Sequence, residues 1–245
     1  MPFVYQANVR FFSWLLFLFL GTAPLSFAQA PISCDLVALD SPTPSNGSFF
    51  GGRVSISTRF AITGTKGFPT SATAGKAYIY EYVGGVWIYR QTLSDPASLP
   101  GDSYGNNVYI DETTAVVAAY TYSRASAPGK VGALYIYSLQ GTQWVQTGLI
   151  TNPSQLTTTF GWALAKSGTD LVVGNGDTSS SLTNSVFVYR QPAVPTQPWA
   201  LVATLMPQAG NTGYDYGYSV AIDNDNLIFR FAFSTFAHYH RLKKI

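Results

Sequence analysis

Apolar and polar positions alternate with a period of two along most of this chain, and no window of comparable length carries a helical period. Three runs rich in aromatic residues, Ala77–Tyr82, Ala133–Tyr137 and Val186–Tyr189, are each followed by a tryptophan, at Trp87, Trp144 and Trp199. Three shorter apolar runs each close on a small residue, Gly64, Ala118 and Gly174. β-Branched and aromatic residues in alternation, bounded by Gly, Asn, Asp and Ser, predict half-buried strands joined by tight turns.

These elements recur in register. An aromatic–glycine pair stands at Phe50-Gly51, Tyr104-Gly105, Phe160-Gly161 and Tyr216-Gly217, at spacings of 54, 56 and 56 residues. Eleven residues before each aromatic lies Leu39, Leu93, Leu149 or Leu205, and three after each glycine lies Val54, Val108, Leu164 or Val220. The small residues fall thirteen after the glycine; the fourth repeat has Arg230 there. Each repeat thus predicts four strands. The first follows the pair, the second ends near the small residue, the third is rich in tyrosine, and the fourth carries tryptophan and ends near leucine. A fixed period of this size means units that bury their apolar faces only against neighbours. Four short antiparallel strands in about 55 residues predict an all-β chain of the β-propeller class, with three complete blades and a partial one. The pair has a structural explanation: glycine lets the innermost strand approach a crowded channel, and the aromatic fills the wedge between blades.

The pattern resembles the FG-GAP repeat family, the blades of integrin α-subunit propellers and of many secreted bacterial proteins. Phe-Gly stands literally at Phe50-Gly51 and Phe160-Gly161, and the runs from Gly75 and from Gly132 are similar to the family's third strand. The Gly-Ala-Pro segment is degenerate, beginning at Gly64, Ala118 and Gly174 without its proline. The resemblance covers about Cys34 to Phe229. It implies a seven-bladed ring, calcium in Asp-rich loops of some blades, and adhesion as a function. Three whole repeats and two partial pieces would close as a four-bladed ring, since Leu39 occupies the outermost-strand slot of Leu93.

The ends differ from the repeats. Residues 1–28 have the makings of a signal peptide: Arg10, the apolar run Phe11–Leu20, and Ser26-Phe27-Ala28 as a cleavage site. Ten apolar residues fall short of the ~20 that span a bilayer. Cys34 lacks the leucine that a lipidation site places three residues before it, and a single cysteine forms no internal disulfide. The predicted organisation is a signal at 1–28, repeats at 29–229 and a divergent basic tail at 230–245 that lacks a third-strand pattern. An interrupted reading frame near Arg230, giving a truncated product, accounts for that tail; a diverged last blade is the alternative. Without the signal and tail, nine basic residues face twelve acidic ones, which excludes the clustered positive charge that nucleic-acid binding needs. The sequon at Asn46 matters only in a eukaryotic secretory pathway.

Candidate chemistry is sparse. Asp223-Asn224-Asp225-Asn226 is the one Asp-rich loop, but it lacks the trailing glycine and later acidic residue of a calcium loop and reads as a polar turn. Asp111 and Glu112 form a carboxylate pair, yet adjacent residues diverge, so a hairpin turn is the expectation. His238 and His240 lie in the tail, which leaves the repeats without a histidine to act as the base of a serine triad. Gly174-Asn175-Gly176 lacks the lysine of a phosphate loop. Tyr78, Tyr80, Tyr82, Tyr135, Tyr137 and Tyr189 alternate along strands; core packing and blade spacing are the preferred reading of them, and a solvent-facing row that stacks on sugar rings is the alternative. The expected function is a secreted, non-catalytic adhesion or protein-interaction scaffold, extracellular or at a cell surface, without a resident cofactor. A carbohydrate-binding module is the alternative. The expected partners are proteins or glycans, with further copies of the chain as a way to complete the ring; no catalytic or metal residue is assigned and the ligand-binding residues stay open.

Overall fold

Fifteen strands are described, and no helix occurs among the described residues. The computed structural model describes residues 38–44, 49–65, 74–97, 99, 101–122, 132–153, 159–175, 185–195, 197–206, 216–224, 226–233 and 236–243, with side chains as far as Phe229. The expected signal peptide, Cys34, the Asn46 sequon and Asp225 lie outside the described residues. Residues 39–245 form one unit, to which the following applies.

Strands β1 (Arg53–Ile56), β2 (Phe60–Thr65), β3 (Lys76–Val83) and β4 (Val86–Leu93) make the first sheet; β5 (Tyr104–Ile110), β6 (Thr114–Ala119), β7 (Ala133–Gln140) and β8 (Gln143–Thr151) the second. Strands β9 (Ala163–Ser167), β10 (Asp170–Asn175), β11 (Ser185–Arg190) and β12 (Ala200–Leu205) make the third, and β13 (Val220–Asp223), β14 (Asn226–Phe233) and β15 (Phe236–Lys243) the fourth. Every pairing is antiparallel between consecutive strands. The four strands of each full repeat are those the alternation predicts.

The sheets pack in chain order, and the pleat sorts their residues to two faces. In β6, Ala115, Val117 and Ala119 meet Phe60 and Ile62 of the first sheet, while Val116 and Ala118 meet Phe160, Leu171 and Val173 of the third. Val172, Val186 and Val188 on the other face of the third sheet meet Tyr216, Leu227 and Phe229. Because a middle sheet has a neighbour on each side, both its faces are dry. The core-packing reading of the tyrosine rows therefore holds over the sugar-stacking alternative. Tyr78, Tyr80, Tyr135, Tyr137 and Tyr189 are all buried, and of that group Tyr82 alone is exposed. The Tyr104 and Tyr137 hydroxyls meet at 2.6 Å in the core, and the Tyr135 hydroxyl donates to Asp95. One slot of the repeat also moves. Leu93 pairs with Ala77 and Leu205 with Val186, but the equivalent partner, Leu134, pairs with Ile150 rather than Leu149. A one-residue slip reverses the face, so Ile150 packs inward and Leu149 is exposed.

The anchor pairs explain the spacing between sheets. Gly51, Gly105, Gly161 and Gly217 all have positive φ, +80, +82, +90 and +79°, a region that costs L side chains about 1–2 kcal/mol. The turn drives the anchor backbone against the preceding sheet. A Cβ on Gly64 would lie 1.9 Å from the Gly105 carbonyl oxygen, and one on Gly174 would lie 1.9 Å from that of Gly217. The small residue thirteen positions after each anchor is therefore the notch that receives the next anchor. Ala118 holds the same place, its Cβ 3.0 Å from where a Cβ on Gly161 would stand. No further aromatic–glycine pair follows the fourth anchor in this sequence, and Arg230 stands at the notch position of β14. The backbone of the tail nevertheless forms a strand, with β15 pairing along β14 from Asn226↔Lys243 to Phe233↔Phe236. The phenylalanines and tyrosine of that stretch favour a pleated conformation.

At the other end of the stack, residues 39–44 lie on the first sheet. Leu39 and Phe50 pack on Tyr78 and Tyr80, the Tyr80 hydroxyl donates to the Asp40 carbonyl at 2.7 Å, and Thr43 shares a hydrogen bond with Tyr78. Val54, in the slot where Val108 is buried, is 71% exposed, because no described sheet precedes the first.

Candidate functional site

The two residues after each anchor converge on one place. Gly52 and Arg53, Asn106 and Asn107, Trp162 and Ala163, and Tyr218 and Ser219 all line two cavities, of about 470 and 270 Å³, that share Arg53 and Trp162. Each pair stands at or just before the first strand of its sheet, where the positive-φ glycine has turned the chain inward. The first strands are held at their far ends by polar ties between sheets. Ile110 N–H donates to Ser55 Oγ at 3.1 Å, Lys166 bridges to Asp111 at 2.6 Å, and Asn224 N–H donates to Ser167 Oγ at 2.9 Å.

Trp162 is the centre of an aromatic group. Its ring meets Tyr120 edge-on at 5.6 Å and an interplanar angle of 90°, and Tyr218 at 5.3 Å and 43°. The Arg53 guanidinium carbon lies 5.9 Å from the Trp162 centroid, a cation–π distance. Asn107 fixes the backbone here: its Nδ2 donates to the Trp162 carbonyl at 2.6 Å, and its Oδ1 accepts from Val108 N–H. Asn106 differs. The ladder between β5 and β6 shifts between Tyr104 and Asn107, leaving Gly105 and Asn106 in a bulge, a device that re-aims a side chain. Asn106 is only 6% exposed, it lines the smaller cavity, and its Nδ2 has no hydrogen-bond partner among the described residues. A buried amide N–H without an acceptor costs about 1–3 kcal/mol.

The charge balance is uneven. Glu81 binds both Arg59 and Arg90, Asp111 binds Lys166, and Asp170 binds Arg190. Arg53 makes no ion pair among the described residues, and it is the one charged residue lining either cavity. Burial raises the Asp111 carboxyl, but the Lys166 ammonium and the Thr113 and Thr114 amides outweigh it and hold its pKa below the ordinary 3.8. The Lys166 side chain is 5% exposed, so the ion pair is largely shielded from water.

The residues singled out from sequence lie elsewhere. Asp111 closes the β5–β6 turn, its N–H donating to the Thr114 carbonyl, while Glu112 accepts from Arg59 N–H of the first sheet, so the two carboxylates serve different neighbours. Asp223 and Asn226 pair across the β13–β14 hairpin, and Asn224 has the φ of +50° that such a turn requires. Among the described residues no group of three or more His, Cys, Asp or Glu side chains is placed to hold a metal ion, and no helix is long and apolar enough to cross a membrane. His238 and His240 belong to β15, of which only the backbone is described. The cleft residues escape a search for repeated motifs, because their positions are the ones at which the repeats differ.

No protein-family model and no curated protein matches the sequence. Among solved structures, the chain is similar to a crystal structure of exo-β-1,3-galactanase from Phanerochaete chrysosporium with β-1,3-galactotriose, at a TM-score of 0.39 and 13% identity. The likeness covers 70% of this chain and 39% of that one.

Proposed function

We propose that this chain is a non-catalytic binding module of the FG-GAP type, its sheets the blades of a β-propeller, and that the cleft between the first strands holds a saccharide. The observation that carries the proposal is the grouping of Trp162 and Tyr218 on the cleft wall, Trp162 backed by Tyr120, with the Asn106 amide N–H that no described group satisfies. The electron-rich face of an aromatic ring attracts the weakly positive C–H groups of a sugar, and a few convergent polar groups then fix its orientation. A cavity of about 470 Å³ lies within the usual range for small ligands, ~300–1,000 Å³. Cleavage of a glycosidic bond calls for two flanking carboxylates, whereas the cleft offers Arg, Asn, Trp, Tyr and Ser. An exported chain, as the first 28 residues indicate, would meet such ligands outside the cell.

Calorimetric titration of the purified chain with soluble oligosaccharides tests this. Saturable binding that weakens at least ~10-fold in Trp162→Ala supports the proposal; binding that ignores that substitution refutes it. A protein-adhesion role is the second reading, favoured by the uncovered face of β1 in the first sheet, where Val54 and Ile56 are exposed. Under it, Val54→Ser with Ile56→Ser weakens attachment to cells and Trp162→Ala does not.

A further inference from the structure

The donors and acceptors of the cleft are unbalanced. Arg53 contributes a guanidinium with five N–H donors and no acceptor, and Asn106 contributes an Nδ2 that no group among the described residues satisfies. Asn107 is already spent on Trp162 and Val108. Among the described residues no carboxylate lines either cavity. A neutral sugar's hydroxyls would find only uncharged acceptors here, the Ser219 and Tyr218 hydroxyls and amide or backbone oxygens, and would leave the guanidinium without a charged partner. A group that only accepts matches it better. Among described side chains, the other three arginines each contact a carboxylate, Arg59 and Arg90 sharing Glu81 and Arg190 binding Asp170, whereas Arg53 has none, so its positive charge is available to a ligand.

We infer that the cleft selects an acidic saccharide, one whose uronate carboxylate is bound by Arg53 and the Asn106 amide while its ring stacks on Trp162. This rests on the saccharide reading above and narrows it. A guanidinium matches a carboxylate with two parallel hydrogen bonds. Charged hydrogen bonds contribute about 1.5–3 kcal/mol, which corresponds to roughly a tenfold or greater preference over the neutral sugar.

The test is calorimetry on the whole chain with trigalacturonate and with the neutral trisaccharide of the same linkage, at low and high salt. Trigalacturonate is expected to bind at least ~10-fold more tightly, and the ratio to shrink as salt screens the charge. Arg53→Gln should bring the ratio close to one, whereas Arg90→Gln, which removes a positive charge on the outer strand β4, should leave it unchanged. Arg53 is exposed, so its substitution does not threaten the fold. Neutral binding as tight as acidic, with Arg53→Gln changing neither, overturns the charge inference and leaves the saccharide reading standing. Failure of both sugars to bind overturns the saccharide reading, and this inference with it.

Discussion

A methyl group is the smallest side chain that Gly105 could gain, and there is no room for it. Its φ is +82°, and a Cβ would stand 2.4 Å from the Lys76 carbonyl oxygen. Gly51 has nearly the same φ, but nothing lies within 4 Å of its Cβ position. Gly51→Ala should therefore cost only the backbone term, about 1–2 kcal/mol, and Gly105→Ala distinctly more. Urea midpoints of the two variants check this, and equal losses would mean that the contact between sheets yields freely. Asp111 carries a second prediction. Its substitution by Asn leaves the Lys166 ammonium buried and unpaired, at an expected cost of about 2–4 kcal/mol near neutral pH. Because the folded pKa is depressed, this contribution is complete above about pH 3.8 and disappears as the pH falls through the folded value. The stability gap between the wild type and Asp111→Asn should close below that pH, and a constant gap would remove the ion pair from the account.

A middle strand differs from an edge strand in having no outside. Val116 and Val117 are adjacent in β6 and both fully buried, one toward the third sheet and one toward the first. Each truncation to Ala is expected to cost about 2 kcal/mol, two methyl groups' worth of burial. Val86→Ala, at an exposed position of β4, should stay within roughly 0.5 kcal/mol; thermal melts separate these outcomes. The elements themselves were legible in the sequence because four copies of a weak signal agree. The dyad alternation and the positions of Gly64, Ala118 and Gly174 gave the strands in order. The reason for those small residues was not legible, since what presses on Gly64 is a backbone carbonyl about forty residues later in the chain. The cleft was less legible still. Repetition reveals what the units share, whereas Arg53, Asn106, Trp162 and Tyr218 are what they do not share. For Tyr78 and Tyr135 the alternation marks two faces but is silent about what covers each: residues including Leu39 and Phe50 cover Tyr78, and residues of the first and second sheets pack around Tyr135.

The whole molecule is held by contacts between neighbouring sheets, and tyrosines contribute to each interface. Burial pushes the Tyr80, Tyr109 and Tyr216 phenols up to about 12, and those of Tyr104, Tyr137 and Tyr189 are raised as well. The unfolded chain ionises its tyrosines near 10.0, before the folded one does. Their contribution is thus intact below pH 10 and is lost as the pH rises toward 12. Alkaline unfolding followed by circular dichroism should coincide with the rise in phenolate absorbance; phenolate appearing well before the fold is lost would contradict the burial. The notches have a temporal consequence. Gly64 and Gly174 hold open spaces that the Gly105 and Gly217 carbonyls fill. On the ribosome each sheet therefore emerges with a vacancy in its face, and completing it must await the arrival of the next anchor, so the order of synthesis becomes the order of docking and a stalled chain presents an unsealed end to chaperones and proteases.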